Sequence, residues 1–132
     1  MRVMYILLNH SLTKEQEESA SKKWDIGCFK YLSKELSIIW NSISPEGELE
    51  IEKLDPIICW LDTAQNNDLV LVQGEFGATF YIVDYCFNRK IIPIYSTSKR
   101  DYSEIKMPDG SIKRKHIFKH VEFRKYKRWF NK

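Results

Sequence analysis

Three short runs in this chain are apolar at almost every position: Val3-Met4-Tyr5-Ile6-Leu7-Leu8, Leu69-Val70-Leu71-Val72 and Ile91-Ile92-Pro93-Ile94-Tyr95. Successive side chains of a strand point to opposite faces of its sheet. A strand with no polar residue on either side must therefore be covered on both, which is the condition of a parallel sheet between layers of helices. The segments between the runs supply the covers. Thr13, with Gln16 three residues on, is a capping box, so a helix is expected from Lys14 to about Lys23. Gly27 marks a turn, and Cys28–Leu32 reads as a second strand. Ser33 caps a helix with Leu36, Ile39, Trp40 and Ile43 on one face, and Ser44-Pro45-Glu46-Gly47 ends it. Another helix is expected over about Glu50–Ala64, with Pro56 in its first turns, and another over about Phe76–Phe87.

Strands alternating with helices predict an α/β fold: a Rossmann-like, mostly parallel sheet flanked by helices, with right-handed crossovers. Pro93 has no N–H to donate, so the fourth strand is expected at an edge or with a bulge. After Lys99-Arg100 the pattern changes, and Pro108-Asp109-Gly110 predicts a β-hairpin, with a terminal strand near Val121–Tyr126. The expected organisation is one domain over residues 1–132. Residues 1–100 form the parallel core, and 101–132 form a basic hairpin and final strand. With strand order 2-1-3-4, the turns after Leu8 and after Val72 lie side by side at the carboxyl ends of neighbouring strands, where ligands bind in such sheets.

Charge divides the chain in the same way. Residues 1–88 carry 7 Lys/Arg against 14 Asp/Glu, and residues 89–132 carry 14 against 4. A basic C-terminal third suits a polyanionic partner such as nucleic acid or a nucleotide, or else is a solvated face that balances the acidic half. The apolar start is too short for a secretory signal, and no stretch is long enough to span a membrane. A cytoplasmic location without membrane association is expected, with Cys28, Cys59 and Cys86 as buried free thiols. No histidine pair has zinc spacing and no carboxylate cluster suggests magnesium, so neither metal nor cofactor is expected.

Three turns carry the candidate chemistry. Gln73-Gly74-Glu75-Phe76-Gly77-Ala78-Thr79 leads from strand to helix. Gly77, Ala78 and Thr79 offer N–H groups at a helix N-terminus, which favours a phosphate, while Glu75 opposes an anion there. Tight helix–sheet packing is the alternative role of the glycines. Asn9, His10 and Ser11 crowd the end of strand one and suit a base, a ribose or a phosphate, with His10 able to act as acid or base; helix capping explains Thr13 by itself. Ser96-Thr97-Ser98-Lys99-Arg100 places hydroxyls and cations after strand four, either for phosphates or as an ordinary polar loop. The tail interleaves His116, His120, Arg124, Lys125, Lys127 and Arg128 with Phe118, Phe123, Tyr126 and Trp129. That pattern fits nucleic-acid stacking or a plain amphipathic strand.

Four of these stretches together resemble a family: Asn9-His10-x-Leu12-Thr13-x-x-Gln16, Gln73-Gly74-x-Phe76-Gly77-Ala78-Thr79, Tyr95-Ser96-Thr97-x-x-Arg100 and Phe118-x-His120-Val121-x-Phe123-Arg124. In this order they are similar to the small stand-alone CRISPR-associated Rossmann-like (CARF-type) proteins of type III CRISPR systems, in the ring nuclease group. The resemblance spans nearly the whole chain. It implies a homodimer that binds a cyclic oligoadenylate, cyclic tetra-adenylate above all, and no DNA. It implies metal-independent opening of the ring by a ribose 2′-hydroxyl, giving linear di-adenylate with a 2′,3′-cyclic phosphate. Such a reaction needs positioning and charge stabilisation but no protein nucleophile. His10, Lys99, Arg100 and His120 are then the catalytic candidates. Asn9, Ser11, Thr13, Gln73, Gly74, Phe76, Gly77, Ala78, Thr79, Ser96 and Thr97 are the binding candidates. A sensor or sponge that holds the ring without opening it uses the same residue types, and an RNA-binding module built on the basic third is a further alternative.

Overall fold

The computed structural model describes residues 1–130; the last two residues of the basic segment lie outside the described residues. The elements follow in the order β1 (Arg2–Leu7), α1 (Lys14–Lys23), β2 (Ile26–Tyr31), α2 (Lys34–Asn41), a 3-10 turn (Ile51–Leu54), α3 (Asp55–Leu61), β3 (Leu69–Val72), α4 (Phe76–Arg89), β4 (Ile92–Lys106) and β5 (Ile112–Lys125). They build an α/β fold of Rossmann-like character. Its five-stranded sheet has the order β2-β1-β3-β4-β5, parallel except for the antiparallel β4–β5 pair.

The apolar runs do what their composition requires. Every residue of β3 is buried. Tyr5, Leu7, Val70 and Val72 face one core with Trp40, Leu54, Ile57, Leu61 and Ile82 from α2, the 3-10 turn, α3 and α4. Met4, Ile6, Leu69, Leu71 and Ile94 face the other, with Leu12, Ala20 of α1 and Phe123 of β5. The two faces are thus covered unequally: among the described residues α1 is the one helix over the thinner side, with Phe123 of β5 packed beside it. Buried Asp68 ties the bottom of the sheet together: its carboxylate accepts from Val3 N and Gln65 N.

Several expectations need correction. The helix expected over Glu50–Ala64 begins as a 3-10 turn and becomes α-helical only at Asp55. A proline without an N–H fits the first turn and not an interior one, and Pro56 sits in the first turn of α3. Gly27 lies inside β2 with Met1 packed against it, and β2 is a largely exposed edge strand. Cys86 is buried, and burial pushes its thiol up to about 12, but Cys28 and Cys59 are exposed.

The largest correction concerns β4 and β5. The fourth strand, the hairpin and the terminal strand are two long strands of 15 and 14 residues. Ser96 to Arg100 is no loop; it lies within β4. Pro93 is in an interior strand, paired with Val70 on one side, while its carbonyl accepts from Tyr126 N on the other. Its missing N–H lies on the β5 side opposite Tyr126, one residue past the end of β5 at Lys125, so the ladder forgoes a single bond at its frayed end. β3 pairs with β4 only as far as Ile94. Beyond that point each has only the other as a ladder partner, and past the contacts of Ser96 and Phe123 with the body they continue as a two-stranded ribbon.

A bulge sits at the base of the ribbon. Thr97 pairs with Glu122 but Ser98 pairs with His120, which leaves Val121 as one extra residue in β5. His120 and Phe123 are an odd number of positions apart, and strict alternation would set them on opposite faces. The extra residue returns them to the same face, with ring centroids 4.6 Å apart.

Candidate functional site

The carboxyl ends of β1 and β3 are neighbours, and the strand order reverses between β2-β1 and β3-β4. A groove opens there. One part, of about 380 Å³, is lined by Asn9, His10, Ser11, Tyr31, Ser37 and Asn41 among others. It continues as a second hollow lined by Asn9, Trp40, Asn41, Gly74 and Glu75. Asn9 and Asn41 belong to both.

His10 is exposed in this groove. Its Nδ1 lies 2.9 Å from the Ser11 carbonyl oxygen, which can only accept, so Nδ1 carries the proton. In the neutral ring Nε2 then keeps its lone pair. This is how a backbone carbonyl prepares a neutral imidazole to take a proton. Ser11 and Asn9 are exposed beside it.

The glycine-bearing turn has a structural explanation. A Cβ on Gly74 would stand 2.7 Å from the Trp40 indole, whose Nε1–H donates to the Gln73 carbonyl at 3.2 Å. The approach of the Trp40 indole by itself requires glycine at position 74. The N-terminus of α4 is capped from within: the Glu75 carboxylate accepts from Ala78 N at 2.7 Å, and the Glu75 carbonyl accepts from Thr79 N. Two of the three N–H groups expected to meet a phosphate are therefore engaged, and a carboxylate stands beside them. Thr79 Oγ1 is enclosed without a partner, so its hydroxyl is not presented to the groove. Phe76 is 94% exposed, and Phe80, one turn on, is 74% exposed.

A second cluster occupies the other end of the same edge. Gln73 N donates to Leu7 O, and Gln73 Oε1 accepts from Ser96 N at 2.8 Å. Ser96 Oγ lies 2.6 Å from His120 Nδ1 and accepts from Gln16 Nε2 at 3.4 Å. Gln16 is itself buried and closes the capping box with Thr13, so Thr13 is committed to the helix. Thr97 Oγ1 spans the ladder, donating to Glu122 O. His120 is half-buried between α1 and Phe123, and its Nε2 is enclosed without a partner. Burial holds its imidazole below the ordinary histidine range.

The two histidines are therefore not one site. Strands lie about 4.8 Å apart, so β1, past whose end His10 sits, and β5, which carries His120, are three spacings or roughly 14 Å apart across the sheet. Lys99 and Arg100 separate too: Lys99 pairs with Lys119 on one face of the ribbon, and Arg100 pairs with Phe118 on the His120 face. His10, Asn9 and Ser11 share the groove with Gly74, while Gln73, Ser96, Thr97 and His120 form the closed network beside it. Sequence reasoning overlooked Trp40 and Asn41, which read as ordinary positions of an amphipathic helix, and undervalued Gln16, whose capping role hid its contact with Ser96. Among the described residues, no three His, Cys, Asp or Glu side chains are grouped to hold a metal ion, and no helix is long and apolar enough to cross a membrane.

Comparison with known proteins adds the family. The model of the uncharacterized protein MJ1673 family matches residues 2–124, and the chain belongs to that family. A protein of Methanocaldococcus jannaschii, named uncharacterized protein MJ1673, is 42% identical over 127 residues, which cover 96% of this chain and 98% of the relative. No solved structure matches the chain.

Proposed function

We propose that this member of the MJ1673 family is a metal-independent ring nuclease. In this reading it binds a cyclic oligoadenylate, cyclic tetra-adenylate first of all, and opens it to linear di-adenylate ending in a 2′,3′-cyclic phosphate. The observation that carries the reading is the groove at the β1/β3 switch point with His10 in it, its Nδ1–H held by the Ser11 carbonyl and the Nε2 lone pair kept in the neutral ring. Nucleotides bind at such switch points in Rossmann-like folds.

His10 Nε2 takes the proton of a ribose 2′-hydroxyl as that oxygen attacks the adjacent phosphorus. The bond from phosphorus to the 5′-oxygen breaks, that oxygen takes up a proton from water, and the hydroxide so formed takes back the proton held on His10 Nε2. Asn9, Ser11 and Asn41 hydrogen-bond the ribose and phosphate. The phosphate lies on the Ser11 side, away from the Glu75 carboxylate. Ser96, Gln16 and His120 act at a distance, by fixing Gln73 and through it the floor of the groove. Exposed Phe76 and Phe80 at the rim offer an apolar contact for a second copy, which would place two grooves around one ring.

The test incubates the protein with a chelator and a tenfold excess of cyclic tetra-adenylate, with products read by chromatography and mass spectrometry. Complete conversion to linear products with 2′,3′-cyclic phosphate is expected. A ring that binds and stays intact establishes a sensor or sponge instead. A ring of any size that neither binds nor opens removes the reading altogether.

A further inference from the structure

We infer that the β4–β5 ribbon is a second binding surface, separate from the groove, on which a single-stranded nucleic acid stacks its bases. Its two faces differ in kind. One carries Lys99, Lys113, Lys115 and Lys119 with Asp101, Ser103, Ile105 and Ile117. The other carries Arg100 opposite Phe118, Tyr102 opposite His116 and Glu104 opposite Arg114.

Packing does not explain the aromatics of the second face. Tyr102 is 67% exposed and Phe118 62% exposed, on a ribbon that β3 and the helices no longer cover. Each is instead organised by its neighbour across the ladder. The Arg100 guanidinium lies over the Phe118 ring at 5.2 Å, and the Tyr102 and His116 rings are 5.1 Å apart. Alternate residues on one face of a strand recur every roughly 6.8 Å. That is about twice the 3.4 Å step of a stacked duplex strand, the spacing of a chain whose bases are splayed apart. Rings at this interval, with Arg100 beside Phe118, Arg114 one step past His116 and lysines on the opposite face, meet the two needs of single-strand binding: flat surfaces for bases and positive charge for phosphates. A duplex, with its bases hidden, satisfies only the second. RNA and DNA share this chemistry, and the ribose hydroxyl alone distinguishes them.

The inference is independent of ring opening. Its test uses the whole protein and fluorescein-labelled twelve-residue oligo-A as RNA and as DNA, with a twelve-pair RNA duplex for contrast, followed by fluorescence anisotropy at two salt concentrations. Both single strands are expected to bind more tightly than the duplex, and tighter binding of the RNA would add a contact to its 2′-hydroxyls. Combining Tyr102→Ala with Phe118→Ala should weaken single-strand binding by between about fivefold and a hundredfold for each stack removed. Tyr102→Trp with Phe118→Trp should retain it, which separates lost stacking from a disturbed ribbon. Lys113→Ala with Lys115→Ala should weaken all probes alike and flatten the salt dependence.

Absence of binding, equal affinity for the duplex, or an alanine pair that binds like the parent overturns the inference. So does a fall in solution mass in the alanine pair with no change in affinity, which would give this face to a second copy of the chain. Ring opening by the same preparations is read by chromatography, so either reading can fail while the other stands.

Discussion

The body and the ribbon treat the two faces of a strand in opposite ways. In the body, β1 and β3 bury both faces along most of their length, and at their carboxyl ends Asn9, His10 and Gln73 follow Leu8 and Val72. In the ribbon both faces meet solvent, and nearly every residue from Lys99 to Lys119 is exposed. The body takes its stability from apolar area, which is non-directional and cooperative. The ribbon has only ladder hydrogen bonds and cross-strand pairs, each contributing roughly 0.2–1 kcal/mol, and a two-stranded hairpin is marginal by itself. One region is built to hold shape and the other to present side chains.

The largest effect that would sharpen this contrast lies in the groove. His10→Ala should lower ring opening by about 10²–10⁴-fold while leaving ring binding and melting temperature close to the parent, measured by product chromatography, calorimetric titration and thermal denaturation. Equal losses in His120→Ala and none in His10→Ala would move the chemistry from the body to the base of the ribbon.

Stability comes next. Leu71→Ala removes a fully buried side chain and should cost about 2–5 kcal/mol, whereas Phe118→Ala should stay within about 0.5 kcal/mol, both by urea denaturation. A Phe118→Ala cost approaching that of Leu71→Ala would mean that the ribbon is packed against something in solution.

Acid should act at the junction of the two regions. Burial depresses the folded-state affinity of His120 for protons, so between its folded value and the ordinary value near 6.5 the unfolded chain binds more protons. Stability is then full above about pH 6.5 and declines as the pH falls below it. His120→Gln should decline less over the same interval when melting temperatures are followed from pH 7.5 to 5.

The smallest effect concerns Pro93. Pro93→Ala restores an N–H where β5 ends, and should change stability by less than about 1 kcal/mol while adding a slowly exchanging amide at position 93. Loss of the fold would show that the proline stops a strand that must not continue.

The apolar runs announced β1, β3 and the start of β4 because burial on both faces leaves only one kind of residue possible. Thr13 with Gln16, and Ser33, announced the starts of α1 and α2 because a capping side chain serves its own helix and needs no tertiary partner. The ribbon was harder to read. Ser96–Arg100 is polar at every position, so no periodicity separates it from a loop. The groove was legible in Asn9-His10-Ser11, yet the purpose of Gly74 was not: its partner, Trp40, is more than thirty residues away in sequence. Glu75 did carry a local warning, since an acid three residues before Ala78 is as good a cap as it is a poor neighbour for phosphate.

Val121 has a consequence for how this chain tolerates changes in length. Along β5 the side chains keep a two-beat rhythm, and the bulge is where the ribbon changes step relative to the body. Losing Lys119 would turn over every residue from Ile112 to Phe118, carrying the arginine and aromatic side to the back and the lysines to the front. Losing Val121 would leave both halves of the strand in their present phase, because the residue removed is the one the ladder never counted.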